Sequence, residues 1–177
     1  YYGQVFWLLQ QVDGKILVWG SFTSQDGLFS TGMISRINAD GTPDLTFNNQ
    51  AFRLAGAICT YWPVVIMREQ PDGKILVWGF FDKYNGVSAN KIIRLNADGT
   101  RDTTFNVWSG FATPWLSKAV QQILVQPDGK ILVWGSDFVS YQWVSANRII
   151  RLNQDGSIDT TFNVWSGFWW SAVVAFA

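Results

Sequence analysis

The sequence predicts an all-β protein of three four-stranded, antiparallel, propeller-like blades. Three observations lead there. Two blocks of sequence recur three times at a spacing of about 57 residues. Each block centres on an Asp-Gly pair flanked by β-branched and aromatic runs. No stretch shows the apolar periodicity of a helix.

The first block reads QVDGKILVWG from Gln11 and QPDGKILVWG from Gln70 and Gln126. The second reads RINADGTPDLTFN from Arg36, RLNADGTRDTTFN from Arg94 and RLNQDGSIDTTFN from Arg151. In order along a unit, Val5–Gln11, Val64–Gln70 and Val120–Gln126 are strand-like. Asp13-Gly14, Asp72-Gly73 and Asp128-Gly129 then supply the positive-φ position of a tight turn. A second strand follows, such as Lys74–Trp78. Ile92, Ile93 and Leu95 mark a third strand before the turn at Asp98-Gly99. Thr103-Thr104-Phe105 reads as a fourth, and four antiparallel strands per repeat is a propeller-blade pattern. The units fall at about 1–52, 53–111 and 112–168, with 169–177 starting or completing a further one.

Composition narrows the function. The chain has 177 residues, 13 basic, 13 acidic and no histidine. A nucleic-acid partner asks for a basic footprint, and none is visible. Cys59 is the only cysteine, so the sequence excludes an intramolecular disulfide, a Cys/His zinc site, a Cys–His nucleophile and a Ser–His–Asp triad. No cofactor is expected. No apolar run approaches the length of a transmembrane helix. The chain opens at Tyr1, which reads as a processed chain or a fragment.

The string QPDGKILVxGxF…NGVSANRIxRLNxDGTxDTTFN…GF resembles the delta-60 repeats, a bacterial β-propeller-like family of unassigned function. The likeness is near consensus from Gln70 to Phe111 and from Gln126 to Phe168. It implies the fold and a secreted or cell-surface setting (or a recombinant product), and carries no activity to transfer. Trp19, Trp78, Trp134, Trp108 and Trp165 stand where that pattern has small residues. Long apolar inserts, Arg53–Glu69 and Ala112–Val125, replace short polar links, and the split piece Trp169–Ala177 plus Tyr1–Gln10 matches them in length. Such departures are consistent with an engineered or diversified version.

Candidate site residues lie mostly in those inserts. The N-x-D-G-x-x-D strings resemble part of a calcium loop but lack its terminal bidentate Glu, and Asp beside Gly is what a tight turn requires anyway. Glu69 is a weak candidate base, and with Arg68 it replaces Gln10 and Leu9 of the first unit and Val125 and Leu124 of the third. A solvated, self-neutralising pair is the preferred reading of these two. Trp7, Ile66 and Gln122 differ at one aligned position, as an asymmetric pocket would need. Tyr61, Trp62, Trp115, Trp169 and Trp170 are the insert aromatics, of the kind that dominates recognition surfaces. A ligand is expected on the inserts and innermost strands, not at the Asp-Gly turns.

Three functions compete. The favoured one is a non-enzymatic scaffold or binding module that self-associates, or holds a protein partner, through an aromatic, apolar edge. Two chains would then complete a six-blade ring, since propellers usually have about four to eight blades. The second is a pocket for a small apolar ligand or for catalysis by Glu69. The third, a membrane-contacting assembly suggested by the apolar tail Trp169–Ala177, ranks last.

Overall fold

In the computed structural model the described residues are 3–23, 29–48, 52–53, 64–79, 81–107, 109–112, 120–135 and 138–164. Among them there is no helix, and the chain is all-β. Unit 1 holds β1 (Gln4–Gln10), β2 (Ile16–Thr23) and β3 (Phe29–Ile37), paired in that order. Then come β4 (Phe52–Arg53), β5 (Val64–Glu69), β6 (Ile75–Gly79), β7 (Lys83–Tyr84), β8 (Val87–Ser88) and β9 (Ile92–Leu95). The last are β10 (Phe111–Ala112), β11 (Gln122–Val125), β12 (Ile131–Trp134), β13 (Ser140–Tyr141), β14 (Val144–Ser145) and β15 (Ile149–Leu152). The main sheets of units 2 and 3 are β5-β6-β9 and β11-β12-β15, all antiparallel.

The Asp-Gly hairpins form as expected. Gln11 N donates to Lys15 O at 2.8 Å and Gly14 N to Gln11 O at 3.0 Å, closing a three-residue loop with Gly14 at φ 84°. Asp13 Oδ1 accepts from Lys15 N at 2.9 Å, which fixes the turn from its own side chain. The same bonds recur at Gln70–Lys74 and Gln126–Lys130.

The fourth strand does not form at Thr103-Thr104-Phe105 or its counterparts, and among the described residues each main sheet has three strands. Thr103-Thr104-Phe105 instead curls back after an isolated bridge between Leu95 and Arg101. The cause is Asp102, whose Oδ1 accepts from Thr104 N at 2.9 Å and Thr104 Oγ1 at 2.7 Å. A side chain that captures these donors competes with a ladder partner. A second departure is the short hairpins β7-β8 and β13-β14, which pair with β4 and β10 as separate sheets. Asn90 and Lys91 (φ 45° and 69°), like Asn147 and Arg148 (43° and 69°), are left-handed and interrupt the run into β9 and β15. In unit 1 Gly32-Met33 occupies that place, and β3 continues past it as one strand with a register shift against β2, from Gly20 opposite Met33 to Ser21 opposite Thr31.

The core lies between units rather than inside them. Alternate strand residues point to opposite faces, so each sheet has a leading face toward the previous unit and a trailing face toward the next. Met67, Ile75 and Val77 on the leading face of unit 2 pack with Leu17, Trp19 and Ile34 of unit 1. Ile66, Leu76 and Trp78 on its trailing face pack with Ile123, Ile131 and Val133 of unit 3. Strand β6 is therefore buried along its whole length.

Candidate functional site

Two regions gather polar chemistry: the Asp-Gly side of each unit and the innermost strands. On the Asp-Gly side, the second Asp of the repeated string is buried and fully committed. Asp44 Oδ2 accepts from Arg36 Nε at 2.7 Å and Lys15 Nζ at 2.8 Å, and its Oδ1 from Thr46 N at 3.0 Å and Oγ1 at 2.6 Å. The guanidinium of Arg36 also lies over the Phe47 ring, 4.8 Å from its centre. Asp102 repeats the arrangement with Arg94, Lys74, Thr104 and Phe105, and Asp159 with Arg151, Lys130, Thr161 and Phe162. Burial alone would raise the Asp44 and Asp102 carboxyls, but the bonds from Lys, Thr and Arg outweigh it and hold both well below the usual carboxylate range. At Asp159 the bond from Thr161 and then that from Lys130 are the largest effects, and they lower the carboxyl to the same range against the opposing effect of burial. With both oxygens of each carboxylate taken by protein donors, the three sites are structural clamps. Among the described residues no group of three or more metal-ligating acidic or cysteine side chains occurs.

On the innermost strands, Trp7, Ile66 and Gln122 stand directly across from Trp19, Trp78 and Trp134. Trp7 is exposed and Ile66 buried, so one position has three different surroundings. Arg68 and Glu69 point to opposite faces of β5 and do not neutralise each other. Arg68 Nη2 donates to Gln122 Oε1 of unit 3 at 2.5 Å. Glu69 turns to unit 1, where its Oε1 accepts from Gln11 Nε2 at 3.1 Å and its Oε2 from Val12 N at 2.9 Å. Val12 matters here because Pro71 and Pro127 hold its place in the other units and have no N–H to give. Glu69 and Val12 are thus two departures from the repeat that meet across one junction. The structure brings Arg68, Glu69 and Gln122 into inter-unit bonds. Tyr61, Trp62, Trp115, Trp169 and Trp170 lie outside the described residues, as does Cys59.

A cavity of about 430 Å³ opens between units 2 and 3, lined among others by Gln70, Lys74, Arg94, Asp128, Gln154 and Asp155. It sits at the Asp-Gly turns rather than on the innermost strands. Its cations, Lys74 and Arg94, are already held by Asp102.

Trp143 is a residue that the sequence reading passed over. It is 84% exposed at the tip of the β13-β14 hairpin, with φ 68°, where unit 2 has Gly86 at φ 76°. Comparing Asn85-Gly86 with Gln142-Trp143 would have exposed it, because an Asn-Gly turn becomes one that strains a bulky side chain.

Three antiparallel units, packed face to face and each holding the same Asp–Arg–Lys clamp, match the model of a "Domain of unknown function (DUF5122) beta-propeller" over residues 11–47, 70–105 and 126–162. The chain belongs to this β-propeller repeat family. No curated protein and no solved structure matches it. The matched stretches hold the Asp-Gly turns and the Asp–Arg–Lys clamps. Trp7, Ile66, Arg68, Glu69 and Gln122 all lie outside them, so the family accounts for the frame and not for the innermost strands.

Proposed function

We propose that this member of the DUF5122 β-propeller family is a non-enzymatic repeat scaffold that self-associates through its open apolar faces, two chains completing a ring of six units. The repeat strings further support reading the units as delta-60 repeats. The observation that carries the proposal is the difference between inner and outer units. Leu8 of β1 is 58% exposed, whereas its counterparts Met67 and Ile123 are 0% and 1% exposed against a preceding unit. At the other end, Leu132 and Trp134 on the trailing face of unit 3 are only partly covered, while Leu76 and Trp78 are fully buried. Each end thus offers the half of a contact that the other end lacks. Fully covering one such side chain contributes roughly 1.5–3 kcal/mol. Glu69 supports the non-enzymatic side of the reading, because its carboxylate is used as a junction bond. The test is mass in solution. Light scattering should give twice the single-chain 20.0 kDa at micromolar concentration, and a stable mass at 20.0 kDa would end the proposal.

A further inference from the structure

Inside the chain, the same polar joint seals both junctions. Arg36 Nη1 donates to Ala97 O, and Arg94 Nη1 to Gln154 O. Asn48 N donates to Asp98 O at 2.6 Å, and Asn106 N to Asp155 O at 2.9 Å. Phe47 and Phe105 press on the glycine of the following turn. A Cβ built on Gly99 would lie 2.8 Å from Phe47 Cζ and from Asn48 O, and one on Gly156 would lie 3.0 Å from Phe105 Cε2. The joint therefore has a plug, Arg with Phe-Asn, and a socket, an Asp-Gly turn with the carbonyl before it.

Among the described residues each half also recurs without the other facing it. The third socket is Ala39-Asp40-Gly41, and a Cβ on Gly41 meets nothing within 4 Å. The third plug is Arg151 with Phe162. The Arg151 side chain is 21% exposed where Arg36 and Arg94 are 7% and 6%, and among the described residues its Nη1 finds no carbonyl acceptor. Phe162 is only half-buried where Phe47 and Phe105 are buried.

We propose that Arg151 and Phe162 of one copy dock on the Ala39-Asp40-Gly41 turn of a second copy, repeating between subunits the joint that Arg36 and Phe47 make with Ala97-Asp98-Gly99. The occupant is a second copy of this chain because the chain itself contains both halves and shows twice how they fit. The inference rests on the self-association proposed above and adds its orientation: head to tail, with two equivalent junctions in a two-chain ring. Charge agrees with it. Asp98 and Asp155 are each stabilised as carboxylates in part by the Arg of the preceding unit, Arg36 and Arg94, and Asp40 has no such neighbour.

Gly41→Asn is the most direct test. Asn tolerates a left-handed backbone, and the single chain leaves open space there, so the fold should stand. In the joint, its Cβ would strike the incoming Phe162, as a Cβ on Gly99 would strike Phe47. Gly86→Asn, also left-handed with nothing within 4 Å, is the control. Arg151→Lys is a second variant, which keeps the charge for Asp159 but loses the reaching Nη1. Sedimentation of the full chain over a series of concentrations, with circular dichroism to verify folding, reads the result. The wild type and Gly86→Asn should dimerise alike. Arg151→Lys should weaken the ring about a hundredfold, about tenfold at each of its two junctions, and Gly41→Asn at least as much. A dimer as tight in both variants as in the wild type would overturn this joint and leave self-association standing. A wild type that stays monomeric would overturn both. Head-to-tail growth beyond two copies, lost in Gly41→Asn, would uphold the joint and overturn the two-chain ring.

Discussion

At the scale of single residues, the repeated Asp clamp is where stability concentrates. Asp102 is buried between Arg94 and Lys74, and removing its charge leaves a buried guanidinium without its partner. Asp102→Asn should cost about 3 kcal/mol in a urea unfolding series. Asp159→Asn should cost less, because Arg151 reaches water. The clamps also set the acid response. Asp44, Asp102 and Asp159 have folded pKa values lowered from the ordinary 3.8, so the unfolded chain binds protons first as pH falls. Their stabilising contribution is complete above that ordinary value and drains away below it, so the unfolding midpoint should be flat near neutrality and drop steeply in acid. The Glu69–Val12 bond is smaller and specific to one junction. Val12→Pro should be accommodated by the turn, as Pro71 and Pro127 are, yet should cost about 1 kcal/mol through the lost N–H. In a double-mutant cycle with Glu69→Gln, part of that cost should vanish, whereas additive effects would count against the bond.

At the scale of elements, the hairpin tips separate strain from support. Gln142 and Trp143 both have positive φ, and Trp143 is 84% exposed, so little burial repays its strain. Trp143→Gly should raise the melting temperature modestly, by the equivalent of about 1 kcal/mol. A fall instead would mean that the indole packs on something in solution. The strands lost from each blade belong to the same scale. Thr103-Thr104-Phe105 has strand-type residues, but the Asp102 side chain supplies nearer bonds than a fourth strand would. Phe105 is then free to lie under Arg94 and against Gly156 of the next unit. The segment gives up a ladder and becomes part of the joint.

At the scale of the whole molecule, three units in line leave the middle one best protected. Among the described residues, sheet β5-β6-β9 has a neighbour on both faces, while β2 and β12 each have one on a single face. In repeat arrays stability is a sum of units and interfaces, so hydrogen exchange should be slowest in Ile75–Gly79 under dilute conditions. Raising the protein concentration should slow exchange in Ile16–Thr23 and Ile131–Trp134 toward the same level. No such change would argue that the outer faces stay uncovered.

Local chemistry was legible in the sequence by itself. Asp-Gly turns, β-branched runs and a repeat of about 57 residues determined an all-β chain of three units, because each depends on bonds and φ angles within a few residues. The repeat also showed which positions depart from pattern, among them Trp7, Ile66, Arg68, Glu69 and Gln122. What those positions do was decided only by the tertiary structure. Arg68 and Glu69 are adjacent in sequence and look like a pair, but strand alternation sends one to unit 3 and the other to unit 1. The missing fourth strand has a local cause, the Asp102–Thr104 bonds two residues apart, but the burial that fixes Asp102 comes from Lys and Arg partners 28 and 8 residues away. A side chain's role in this protein depends on which unit lies across from it, and stacking of the units, not the spacing of letters, sets that neighbour.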